Sequence, residues 1–238
     1  MFDIKKQPKR VMLKLSGEAL KGAGEYGFDI DFLDQLAKKI VSLTKRGIEI
    51  VVILGGGNIF RGVSGASKGM DRATGDYVGM LATVMNGIAL GEALERNGQP
   101  VSVLSSLEMP KVAELFVRKK ALSYLEDKKV VISVAGTGNP FFTTDTSAVQ
   151  KALELNCEYI VKGTKVDGVY DSDPMKNPNA VRFDSIAVEE ALKMGLNIMD
   201  HSAIAMAMDN KLPLYVCRIG DIDQIGTETM RGTHIFVD

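Results

Sequence analysis

Lys14 stands one position from the end of an otherwise apolar run, residues 11–15, and Ser16-Gly17 follow it. A lysine at a strand end can meet a ligand phosphate, and the amides of the turn that follows can close around the same oxygens. On this residue alone, an edge lysine reaching out to water fits as well. A second apolar run, 50–54, breaks into Gly55-Gly56-Gly57-Asn58, where bare backbone can approach anionic oxygens. Arg61, four residues past Gly57, can fork two hydrogen bonds onto a phosphate, or serve as a solvated loop arginine. A third run, 130–135, ends in Gly136-Thr137-Gly138-Asn139-Pro140, followed by Phe141-Phe142-Thr143-Thr144-Asp145. Asp145 can cap its helix or cage lysines. Three such strand ends in one sheet suggest two phosphate-bearing ligands facing each other. That arrangement suits phosphoryl transfer, which needs position and positive charge more than a covalent nucleophile.

Other chemistries find less support. Cys157 and Cys217 are the only cysteines, lie far apart, and neither neighbours a histidine. His201 and His234 read as surface or packing residues, and Asp71, Asp76 and Asp145 lack metal-site spacing, so no protein-held metal is expected. Gly22, Gly24 and Gly27 spell the dinucleotide pattern G-x-G-x-x-G, yet they do not directly follow the first strand, and the second closes on Leu54-Gly55 rather than an acid. No G-x-x-x-x-G-K-[ST] loop occurs. The twelve methionines read as core filler.

The elements that would position these residues alternate. Strands are expected at 11–15, 50–54, 101–104, 130–135, 159–162, 214–217 and 234–237. Helices are expected at 30–44 behind an Asp29 cap, from about 75 to 97, and at 110–127, 145–155, 188–194 and 202–209. Strand–helix alternation with glycine-rich strand ends predicts an α/β fold, a three-layer α/β/α sandwich with a mostly parallel central sheet. A break near residue 157 suggests two lobes sharing that sheet.

Composition narrows the class further. The chain has 238 residues, 24 of them glycine, and its 29 basic against 30 acidic side chains leave a net charge of −1. That balance carries no footprint for nucleic acid or an anionic membrane. No uninterrupted apolar run is long enough for a membrane span, and the basic, polar start is not a signal peptide. Two isolated thiols suit a reducing, cytoplasmic setting.

KLSGEAL from Lys14, GGGNIFRG from Gly55, GDYVGMLATVMNG from Gly75, AGTGNPFFTTD from Ala135 and TKVDGVYDSDP from Thr164 occur in this order, with a looser MDHSAIAMAMDNKLP from Met199. In order and spacing they resemble the bacterial uridylate (UMP) kinases of the amino-acid-kinase superfamily over nearly the whole chain. The resemblance implies Mg-dependent transfer of the ATP γ-phosphoryl group to UMP, with Mg held mainly by the nucleotide phosphates. It assigns UMP to a lobe of about 1–157 and ATP to one of about 158–238. Lys14, Arg61 and Asp145 would be catalytic, Asp145 by orienting Lys14 and one of Lys162 or Lys165. Lys14, Leu15, Ser16, Gly17, Gly57, Arg61, Thr164, Tyr170 and Asp173 would bind ATP. Gly56, Asp76, Thr137, Gly138, Asn139, Pro140, Phe141, Phe142, Thr143 and Thr144 would bind UMP, with Asp76 on the ribose hydroxyls.

Members of that family are homohexamers subject to GTP and UTP. The loop Gly22, Ala23, Gly24, Glu25, Tyr26 and Gly27 would serve GTP, although the stretch GEALERNGQPVSV from Gly91 lacks the basic residues found around that pocket in some members. The helix beginning near Gly75 would be buried between subunits. Two other expectations remain beside this one. A relative phosphorylating a carboxylate or carbamate would give an acyl phosphate, and a non-catalytic nucleotide-binding offshoot would lack turnover; Asp76, the FFTTD stretch and the intact Lys14, Arg61 and Asp145 weigh against both.

Overall fold

The computed structural model describes residues 5–22, 24–60 and 69–237. In chain order the elements are β1 (Arg10–Leu15), α1 (Gly17–Leu20), α2 (Ile30–Lys45), β2 (Glu49–Leu54), α3 (Arg72–Arg96), β3 (Val101–Ser105) and β4 (Glu114–Leu115). There follow α4 (Arg118–Glu126), β5 (Val130–Val134), α5 (Thr144–Glu154), β6 (Tyr159–Thr164), β7 (Ser185–Ala187), α6 (Val188–Lys193), α7 (His201–Asp209), β8 (Leu214–Arg218), a 3-10 turn (Ile219–Gln224) and β9 (Thr233–Phe236). Among the described residues nine strands form one sheet in the order β4-β3-β5-β2-β1-β6-β8-β9-β7, parallel throughout except where β8 meets β9.

The continuous apolar strands are covered on both faces, as in parallel sheets generally. Val11, Leu13 and Leu15 of β1 and Ile50, Val52 and Leu54 of β2 pack on one side with α2 and α3. Met12, Val51 and Ile53 alternate to the other side, under α4, α5, α6 and α7. The three-layer sandwich is the expected architecture.

One local expectation needs correction, and one open alternative is decided. The 110–127 segment is helical only from Arg118; before it, Glu114–Leu115 pairs with β3 as the sheet's edge strand. Asp145 does not cap α5. Thr143 does, its hydroxyl accepting from the amides of Asp145 at 3.0 Å and Thr146 at 3.4 Å. The Asp29 cap is present, accepting from Phe32 N at 3.1 Å. Strands β4 and β7 have too little local pattern to read and exist through pairing with β3 and β9.

By length and mean hydropathy α3 could span a membrane, but 56% of its most apolar window is buried within this fold, on α2 and the sheet. Both cysteines are buried, and burial pushes each thiol up to about 12, so neither is a ready nucleophile.

Candidate active site

Strand alternation and parallel register bring the two site lysines together. Lys14 shares its face of the sheet with Met12, and Lys162 shares that face with Ile160. In the β1–β6 pairing Lys14 lies directly beside Lys162. The N-terminus of α5 stands over that face and supplies Asp145. Lys14 Nζ lies 2.7 Å from Asp145 Oδ1 as an ion pair, and Lys162 Nζ donates to Oδ2 at 3.0 Å.

Burial favours the neutral acid, yet Lys14 and Lys162 outweigh it and hold the Asp145 carboxyl below its ordinary value. For Lys162, burial and then the neighbouring Lys14 disfavour the charged form, and its ammonium sits below the usual lysine range despite Asp145. Lys162 also donates to the carbonyl of Ile198. A buried, paired cation cluster of this kind can meet phosphate charge without first shedding a full hydration shell.

Asp200 completes the support, and sequence reasoning missed it. It caps α7 by accepting from Ala203 N at 3.0 Å, and it accepts from the hydroxyls of Thr143 and, at 3.0 Å, Thr146. One carboxylate thus ties the α5 and α7 N-termini together beside Lys162. The only signal for it was an acid opening a helical stretch.

Glycine permits the close approach of the first two strand ends. A Cβ on Gly17 would lie 2.3 Å from the Gly55 carbonyl oxygen and 2.6 Å from Asn58 Oδ1. A Cβ on Gly56 would lie 2.8 Å from the Gly79 carbonyl on α3. Asn58 and Asn86 exchange side-chain hydrogen bonds of 2.9 and 2.7 Å, and Asn86 also donates to Gly55 O at 2.7 Å, fixing α3 to this loop. Asn58 further holds the Gly22–Gly27 loop, donating from its amide to Gly27 O at 2.7 Å. At the third strand end the chain turns through left-handed Ala135, Gly136 and Gly138, with Ala135 N donating to Thr83 Oγ1 at 2.8 Å.

Among the described residues, two clefts involve the elements that carry this cluster. The first is lined by Gly56, Gly57, Asp76, Met80, Thr137, Asn139, Phe142, Thr143 and Thr144, among others. It therefore gathers most of the residues expected to hold UMP; Gly138, Pro140 and Phe141 stand in the same loop outside its lining, and Gly57 faces this cleft too. The second, about 550 Å³, is lined by Lys162, Thr164, Tyr170, Asp173, Gly195 and Ile198, among others. Its size lies within the range of small-molecule sites. There Tyr170 is fixed by donating its hydroxyl to Asp167 Oδ1 at 2.6 Å.

The remaining expected residues are placed as follows. Leu15 is buried in the core and its carbonyl accepts from Gly55 N at 2.9 Å, so only its backbone lies near the site. Ser16 precedes α1 and its hydroxyl makes no cap bond. Lys165 is exposed and lines a separate cleft with Glu18 and Arg218. Gly22, Gly24, Glu25, Tyr26 and Gly27 lie in a surface loop, with Tyr26 exposed. Arg61 and Ala23 lie outside the described residues.

A parallel sheet with glycine-rich strand ends, a lysine pair held by one carboxylate, and clefts that Thr144 and Lys162 line suit an enzyme that handles phosphate. Residues 9–218 match the profile of the Amino acid kinase family, and the chain belongs to that family. Among solved structures it is similar to the UMP kinase of Bacillus anthracis, at 34% identity and a TM-score of 0.93, with 98% of each chain covered. It is also similar to the UMP kinase of Ureaplasma parvum, at 35% identity and a TM-score of 0.89, over 96% of this chain and 99% of that one.

Proposed function

We propose that this protein is a UMP kinase that transfers the γ-phosphoryl group of ATP to UMP, giving UDP and ADP for pyrimidine nucleotide supply. One observation carries the reading. Asp145 of the Lys14–Asp145–Lys162 cluster directly follows Thr144, which lines the first cleft, and Lys162 of the same cluster lines the second. UMP occupies the first cleft and ATP the second, so their phosphates meet at the lysines. The likeness to two UMP kinases over nearly the full chain supports this choice of acceptor.

A phosphate oxygen of UMP attacks the γ-phosphorus, and the bond from that phosphorus to the oxygen bridging to the β-phosphate breaks, leaving ADP. The UMP phosphate is already anionic near neutral pH, so no general base is needed. Lys14 and Lys162 offset charge on the moving group, a role extended to Arg61 on the resemblance alone. Asp145 keeps both ammonium groups in place. Gly17 and Gly57, with the backbone of Leu15 and Ser16, approach the phosphates. Asp76 accepts from the ribose hydroxyls, Gly56 and the 137–144 loop enclose the rest of UMP, and Thr164, Tyr170 and Asp173 line the nucleoside side of ATP.

Mg accompanies ATP in such chemistry and screens phosphate charge when bound. Among the described residues no three His, Cys, Asp or Glu side chains gather as a cation site. Both Asp145 oxygens face lysines. The residues present therefore fit a metal carried by the nucleotide rather than one caged by the protein.

We place the boundary between the UMP and ATP lobes near residue 157, the chain in the cytoplasm, and neither nucleic acid nor a membrane among its partners. A homohexamer with GTP and UTP as effectors completes the proposal. Tyr77, Leu81, Met85 and Ile88 support self-association, since they form an exposed apolar stripe along α3. Initial rates with GTP or UTP added read the effector part, which fails if neither changes them.

The function is tested by measuring ADP release with Mg-ATP and UMP, CMP, AMP or TMP, and identifying the product by phosphorus NMR. UDP should form at a rate well above any other acceptor's. Equal rates for CMP and UMP, or ATP binding without turnover, would refute it.

A further inference from the structure

Arg72 opens α3, and its Nε lies 2.9 Å from both carboxylate oxygens of Asp76, four residues on. Helix stability does not account for an arginine there. A cation in the first turn opposes the helix dipole, and the cation-first order is the weaker arrangement of an i,i+4 pair. With the Arg72 side chain 53% exposed, the ion pair adds little to folding.

What the pair does is fix a carboxylate. Asp76 lines the first cleft with its side chain only 14% exposed, and its Oδ2 also accepts from Phe141 N at 2.8 Å. Phe141 has a φ of +71°, a conformation that disfavours a bulky residue and needs such an anchor. The Phe141 ring lies 5.9 Å from the Arg72 guanidinium carbon. Arg72 thus holds the carboxylate and sits against the ring, while the carboxylate holds the peptide leading into Phe142, Thr143 and Thr144. Two N–H donors still leave lone pairs on both oxygens.

We propose that Arg72 is a positioning residue that sets the preference of the acceptor site for ribonucleotides over 2′-deoxyribonucleotides. The inference rests on the UMP reading, with Asp76 at the ribose. A cis-diol presents two hydroxyls in a fixed relation and needs both carboxylate oxygens turned toward them. A single hydroxyl tolerates a rotated carboxylate. Freed from Arg72, Asp76 can turn about its last torsion, which is broad for a carboxylate. The loss should therefore fall on the ribose substrate.

The test compares wild type, Arg72→Ala and Arg72→Lys with UMP and dUMP at saturating Mg-ATP, with thermal unfolding as a fold check. The alanine variant should raise the UMP KM about tenfold, the scale of one lost hydrogen bond, and move kcat less. The dUMP KM should change less than threefold by the same reasoning, so the UMP/dUMP ratio of kcat/KM falls. Lysine keeps the charge but lacks an Nε–H at that point, so it should not restore the ratio. Equal losses for both substrates, or recovery with lysine, would overturn the positioning role. Titrating UMP and dUMP without ATP gives an independent reading, in which the alanine variant should lose affinity for UMP alone. If instead the wild type releases no ADP with UMP, the function itself fails, which is a separate outcome.

Discussion

Replacing Asp145 by asparagine removes one charge from between two lysines and keeps the side-chain shape. With charge centres about 4 Å apart and an effective dielectric constant of about 20, each Lys–Asp pair carries about 4 kcal/mol of gross attraction. Burial of all three groups offsets much of that, and breaking a buried pair costs about 3–5 kcal/mol net. Because asparagine can still accept from Lys162, the stability loss should fall near about 3 kcal/mol. The folded protein holds the Asp145 carboxyl below its ordinary value, after burial and the two lysines are weighed together. Its stabilisation is therefore complete above the unfolded carboxylate value of about 4 and drains as pH falls through the lower folded value. Urea unfolding of the two proteins should accordingly differ most near neutral pH and converge in acid.

Catalysis should change in a related way. Misplacing a preorganised cation should lower kcat about 100-fold, by analogy with losing one oxyanion donor. Lys162, already pushed down by burial and by Lys14, loses the first of the groups that push it up. It should then shed its proton at lower pH, so the alkaline limb of kcat moves toward neutrality. The assay is ADP release with UMP and Mg-ATP from pH 6 to pH 10. Parallel pH profiles for wild type and Asp145→Asn, or a loss of kcat below threefold, would refute the electrostatic role.

Gly17→Ala should destabilise the protein by about 1–3 kcal/mol and depress kcat/KM, because the new methyl meets the Gly55 carbonyl and the Asn58 amide; a fully active, equally stable variant would remove the close-approach argument. Leu81→Asp, in the exposed stripe on α3, should give a smaller species than wild type in sedimentation velocity; an unchanged sedimentation coefficient would show that this face is not the contact.

Much of the site was legible in the sequence because its parts announce themselves locally. Lys14 interrupts an apolar strand near its end, glycines crowd three strand ends, and Asp145 follows two threonines at a helix start. Lys162 has the same strand-end signature as Lys14, but its partnership with Asp145 depends on the β1–β6 register, which no local pattern fixes. The 110–127 segment misled because Val112, Ala113, Leu115 and Phe116 supply apolar residues at helix-like spacing, while the pairing that makes Glu114–Leu115 a strand comes from β3. Asp200 acts across 57 residues on Thr143. Asn58 and Asn86 meet across 28. Such contacts are products of the packed sheet, and sequence could offer only residue types able to make them.

The decisive measurement is a crystal structure with UMP and a non-hydrolysable ATP analogue bound together. The α-phosphate of UMP and the γ-phosphate of the analogue should lie end to end, with Lys14 and Lys162 in contact with one or both. Phosphates directed apart, or both lysines still paired to Asp145 and remote from either nucleotide, would contradict phosphoryl transfer at this cluster.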